Sequence, residues 1–98
     1  MNPDILADIQ LYRTEDGGRQ GPTPPDKFGC LLEINDKYYD CRLLLEGIGA
    51  LSPGQSVTVP IKFLSPEVVI EQLKFVPQFH LWDGKRIADG KVKEMYVT

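Results

Sequence analysis

The sequence predicts an all-β protein, a single small antiparallel β-barrel of about six strands. Three observations lead there. Apolar residues recur at every second position in short segments, clusters of Gly, Pro, Asn and Asp separate those segments at near-even spacing, and helical periodicity is almost absent. Many short strands with regular turn signals form the pattern of a closed barrel or a sandwich. At 98 residues, 42% apolar and 26% charged, the chain has material for one core and no shift in composition that would mark a second. Residues 1–98 read as one barrel domain, with residues 1–6 as an N-terminal tail.

In ADIQLY (7–12), Ala7, Ile9 and Leu11 alternate with Asp8, Gln10 and Tyr12, the period of a half-buried strand. From Thr14 to Lys27 the glycines and Pro22, Pro24 and Pro25 deny a ladder its donors, so this stretch is a long surface loop. FGCLLEI (28–34) and YYDCRLLL (38–45) flank Asn35, Asp36 and Lys37, which suit a hairpin turn. With Asn35 and Asp36 as a two-residue loop, Cys30 lies opposite Cys41; a register shifted by one separates them.

Pro53-Gly54 marks a turn before a strand in which Val57, Val59, Ile61 and Phe63 share one face, with Pro60 in mid-strand pointing to an edge or a bulge. PEVVIEQ (66–72) is readable as one helical turn or as a short extended linker, and the β-branched Val68, Val69 and Ile70 weigh toward the linker. Leu73, Phe75, Phe79 and Leu81 suggest extended chain interrupted at Pro77. Asp83-Gly84 is a hairpin signal before a last strand from about Arg86 to Val97.

The net charge of −3 argues against a non-specific nucleic-acid binder, which needs an excess of Lys and Arg. No apolar run approaches the 18 or so residues of a membrane span, and Met1 to Leu11 lacks the basic start and apolar core of an export signal. The expectation is a cytoplasmic protein in which Cys30 and Cys41 stay free thiols. Ten residues between the cysteines and a single histidine, His80, do not match a zinc site, so neither metal nor cofactor is expected.

The order of motifs resembles the C-terminal, third, β-barrel of translation elongation factor Tu. The likeness runs from about Ala7 to Met95. Glu15-Asp16-Gly17-Gly18-Arg19 with Pro22 looks like the family's acidic step and Gly-Gly-Arg loop, although Gln20-Gly21-Pro22 stands where the family has His-Thr-Pro. LEGIGALSPGQSVTV (45–59) is similar to the segment with its Pro-Gly turn, and Ser65-Pro66 with Leu73 keeps the family's separation. FHLWDGKRIADGKV (79–92) looks like the closing hairpin, with Asp83, Gly84 and Arg86 as the acidic-Gly-x-Arg turn and Gly90 as the glycine of the last strand. In the family this barrel meets tRNA, the GTPase domain and the nucleotide-exchange factor. The resemblance therefore implies a translation-linked binding module, here standing alone. Neither Gly84-Lys85-Arg86 nor Gly90-Lys91-Val92 is a phosphate-cradling Gly-Lys-Ser/Thr loop, so GTP binding is not expected.

The candidate contact surface is the Gly17–Pro25 loop with the Asp83–Gly90 hairpin, and its candidate binding residues are Gly18, Arg19, Gln20, Trp82, Lys85, Arg86, Gly90 and Lys91. Arg19 either ties its loop to a neighbouring carboxylate or carbonyl, or offers a guanidinium fork to phosphate or a partner's carboxylate. Lys85, Arg86, Lys91 and Lys93 concentrate positive charge, and Trp82 is an aromatic at a turn. A contiguous cluster of Arg19, Lys85, Arg86 and Lys91 favours RNA. A patch of Trp82, Tyr38 and Tyr39 favours a protein adaptor or self-associating scaffold. An enzyme would need Cys41 with His80 as its base; buried among leucines, the thiols are expected to be inert, and catalysis is not expected.

Overall fold

Residues 2–96 are described by a computed structural model. Six strands, β1 (Ile5–Leu11), β2 (Lys27–Ile34), β3 (Lys37–Leu44), β4 (Ser56–Phe63), β5 (Gln78–Trp82) and β6 (Arg86–Met95), close into one barrel in the order β1-β4-β3-β2-β5-β6. All the pairings are antiparallel. Closure removes the free sheet edges that a six-strand ribbon would otherwise expose.

The alternation that announces the strands also fills the barrel. Ile5, Ala7 and Ile9 of β1, Val59 and Ile61 of β4, and Leu32, Leu43 and Leu81 from the other wall are at most 2% exposed. Each large aliphatic side chain buried this way stabilises the fold by about 1.5–3 kcal/mol. One end is closed by α1 (Pro66–Leu73), which buries Val69, Ile70 and Leu73.

The tail is shorter than expected, because β1 begins at Ile5, opposite Ile61 and Met95. PEVVIEQL is a helix and not a linker. Pro66 supplies a preset φ in the first turn, and the β-branched residues lose at most about 0.7 kcal/mol each in helix propensity, less than burying Val69, Ile70 and Leu73 returns. The extended chain expected from Leu73 through Phe75 is instead the helix end and a turn, since Phe75 and Val76 both donate to the Gln72 carbonyl, and β5 starts only at Gln78, past Pro77. Pro60 is not at a bulge but at a local edge, where β4 has no partner on its β3 side. It faces Leu6 of β1, and its missing donor is tolerated because the β3 ladder stops one residue earlier, at Leu43 opposite Ile61. The last strand ends at Met95, and Val97 lies outside the described residues.

The β2–β3 hairpin has the two-residue turn. Asn35 and Asp36 both adopt positive φ, 53° and 61°, the left-handed pair that matches strand twist. Cys30 therefore faces Cys41. Among the described residues no helix is long and apolar enough to cross a membrane.

Candidate functional site

The long loop and the β5–β6 hairpin meet through one side chain. After Leu11 the chain makes a 3-10 turn at Thr14–Asp16 and reverses at Gly17, with φ 91°. Gly18 is buried against the chain it has just left; a Cβ there would overlap the Tyr12 carbonyl, so no other residue fits. That reversal delivers Arg19 to the hairpin. Its Nη1 donates to Asp83 Oδ2 at 2.8 Å, its Nε and Nη2 donate to the carbonyls of Gly21 and Pro22 at 3.3 Å, and its guanidinium lies 4.7 Å from the centre of the Phe28 ring. Arg19 is thus committed to holding its loop, while Gln20 beside it is exposed.

Arg86 is committed in the same way. Its Nε and Nη2 donate to the two carboxylate oxygens of Glu33 at 3.2 and 2.7 Å, a fork-on-fork pair. Glu33 is only 9% exposed, and the Arg86 hydrogen bond holds its carboxyl below the usual glutamate range against the opposing effect of burial. Beside it on the outer wall, Asp89 accepts from the Tyr12 hydroxyl at 2.5 Å and meets His80 Nδ1 at 2.8 Å. Burial and the Asp89 hydrogen bond push the Tyr12 phenol up to about 12, so it remains the donor. Lys85 and Lys91 are exposed and take part in no ion pair among the described residues.

Trp82 stands on the same wall as Arg86. It pairs across strands with Leu31 and meets Tyr38 edge to face, ring centroids 5.3 Å apart at 64°. Tyr38 is 47% exposed and Trp82 part-buried. Tyr39 points the other way, against the core, with its hydroxyl accepting from Gln72. Gly90 serves the interior, where a Cβ would overlap the Phe79 ring.

Two open depressions divide this surface. One, about 1020 Å³, is lined by Glu33, His80, Arg86, Asp89, Gly90 and Lys91; the other, about 760 Å³, runs past Trp82, Leu31, Leu64 and Gly29. The structure therefore joins Arg19, Trp82 and Arg86 around one hairpin, whereas Lys91 lies farther along β6, opposite Gln78. The basic cluster is broken up by Asp83 and Glu33. Cys41 and His80 do not assemble as nucleophile and base: His80 engages Asp89 outside, while Cys41 is 3% exposed within the core and its thiol is pushed up by the Cys30 hydrogen bond and by burial. Sequence reading missed Glu33 and Asp89. The signal for Glu33 was available, a lone charge in the apolar run FGCLLEI. No three His, Cys, Asp or Glu residues converge as a metal site among the described residues. No protein-family model and no curated protein sequence matches the chain.

Proposed function

We propose that the chain is a non-catalytic binding module, built like the C-terminal barrel of elongation factor Tu and linked to translation, that grips a protein partner through the outer wall around Trp82. The observation that carries this reading is the Trp82–Tyr38 pair, backed by Leu31 and set beside the Arg86–Glu33 pair. Rigid aromatics flanked by a fixed arginine are the composition of an interface centre. The arginines counted toward RNA are already held by Asp83 and Glu33, so phosphate would have to compete with a carboxylate at each. A tRNA reading is left with Lys85, Lys91 and Lys93.

The test is capture of partners by tagged protein, with and without nuclease and at two salt concentrations, alongside anisotropy with bulk tRNA. The expected result is a nuclease-resistant protein partner, a translation factor by mass spectrometry, that is lost with Trp82→Ala and kept with Lys85→Ala/Lys91→Ala. Saturable tRNA binding that weakens with salt and with the lysine variant would overturn the protein reading. A partner unconnected with translation would leave the adaptor and remove the translation link.

A further inference from the structure

We propose that Cys30 and Cys41 form a reversible dithiol–disulfide site, closed and reopened by exchange with a small disulfide. The two residues are direct cross-strand partners, both free and buried, with Sγ atoms 3.6 Å apart. A disulfide bond is about 2.05 Å long with Cα atoms 4.4–6.8 Å apart, a range that covers both kinds of antiparallel pair. The sulfurs therefore have roughly 1.5 Å to close, without any change of register.

Closure at this position is strained, which makes it reversible. The pair flanking the two-residue turn, Ile34–Lys37, belongs to the hydrogen-bonded class of such hairpins. Hydrogen-bonded and non-bonded pairs alternate from there, so Cys30–Cys41, four pairs on, is hydrogen-bonded too. Side chains in that class stand farther apart than a disulfide prefers. A strained disulfide has a more oxidising potential and is the kind reopened by thiols.

Both thiols point into the barrel, while Gly29, Leu31, Asp40 and Arg42 beside them line the outer groove of about 760 Å³, so exchange goes through a local opening of the β2–β3 pair. Gly29 points outward beside Cys30, with nothing within 4 Å of where a Cβ would stand. Cys30, 9% exposed against 3% for Cys41, is the entry thiol. It gives its proton to water and attacks one sulfur of the small disulfide, releasing one thiolate. Cys41 then loses its proton and attacks Cys30 Sγ of the mixed disulfide, releasing the second. Two protein thiols and one small disulfide become one protein disulfide and two small thiols. The two electrons and two protons given up by the cysteines end on the released thiols. In the dithiol, the hydrogen bond to Cys30 and burial both keep Cys41 protonated.

The experiment equilibrates the native protein in glutathione buffers of increasing oxidised fraction, quenches with acid, and reads intact mass after alkylation in denaturant. The expected result is that both thiols disappear together, with loss of two hydrogens, no covalent dimer, and full return on adding excess reduced glutathione. Cys41→Ala is expected to stop at one glutathione adduct on Cys30. Two thiols that persist in the native protein while the urea-unfolded chain oxidises would overturn the proposal. So would a wild-type protein that stops at a single adduct. The wild-type readout does not depend on the variant folding.

Discussion

The barrel has two outer walls that share one interior and differ in how they treat the outside. On the β1–β4 wall the outward positions satisfy one another: Thr58 donates to Asp8 at 2.5 Å, Ser56 donates to Gln10, and Leu6 faces Pro60. On the β3-β2-β5-β6 wall they do not form such a closed set. Tyr38, Leu31 and Trp82 stand beside the Arg86–Glu33 pair, and Lys85 and Lys91 are left to solvent. Since inward alternation is the same on both sides, the fold itself does not require this difference. What the second wall carries beyond a solvated polar face is where binding is to be sought.

The largest effect is expected where the walls meet. Gly90 faces Phe79 of β5 on one side and Ile9 of β1 on the other. Gly90→Ala would push a methyl into the Phe79 ring, which is 3% exposed and has nowhere to move. A loss of about 2–3 kcal/mol lowers Tm by roughly 10–20 °C in a domain of this size, measurable by thermal melting. An unchanged Tm would mean that the seam is loose and that the two walls are not one cooperative unit.

The second effect separates the walls by pH. The folded carboxyl of Glu33 is held down by Arg86, so the unfolded chain binds a proton first. Its contribution to stability is in full force above the ordinary glutamate range near pH 4.3 and is lost as pH falls through the lower, folded value. Glu33→Gln is expected to lower Tm by about 5 °C at pH 7 and to flatten the melting curve's pH dependence below about pH 4.5. A variant as acid-sensitive as the parent would place the carboxylate responsible elsewhere.

Much of the first wall and of the interior was legible in the sequence because the information is local. Alternation in ADIQLY and VTVPIKF names the inward faces, and Asn35-Asp36-Lys37 marks a turn, although the register that sets Cys30 against Cys41 comes only with the fold. The second wall was legible only in its parts. Arg19 and Asp83 are 64 residues apart, and Arg86 and Glu33 are 53; which carboxylate takes which arginine depends on the β2–β5 register, which no local pattern encodes. The helix at Pro66–Leu73 was hidden for a related reason. Its β-branched residues have weak helix propensity, and what decides the matter is the apolar barrel end that Val69, Ile70 and Leu73 close, a surface assembled from distant strands.

Trp82→Ala sharpens the comparison from the functional side. The ring is part-buried and its edge-to-face contact with Tyr38 is worth about 1 kcal/mol, so Tm should fall by only about 5 °C while capture of the partner falls at least tenfold, as loss of an interface anchor predicts. Stability and capture are read on the same preparation, the second by quantitative pull-down. Capture that survives would move the contact surface to the other depression, with His80 and Lys91.

The smallest effect belongs to the closed polar wall, and its smallness is the point. Thr58→Ala removes the hydroxyl that donates to Asp8, but Asp8 is exposed and water replaces the lost donor, so the cost is about 0.5 kcal/mol or less. Partner capture should be unchanged, because Thr58 lines the depression with His80 and Lys91 and not the one beside Trp82. A Thr58→Ala protein that melts normally yet loses its partner would show that a self-satisfied polar face can still bind, and that the aromatic wall had been singled out for the wrong reason.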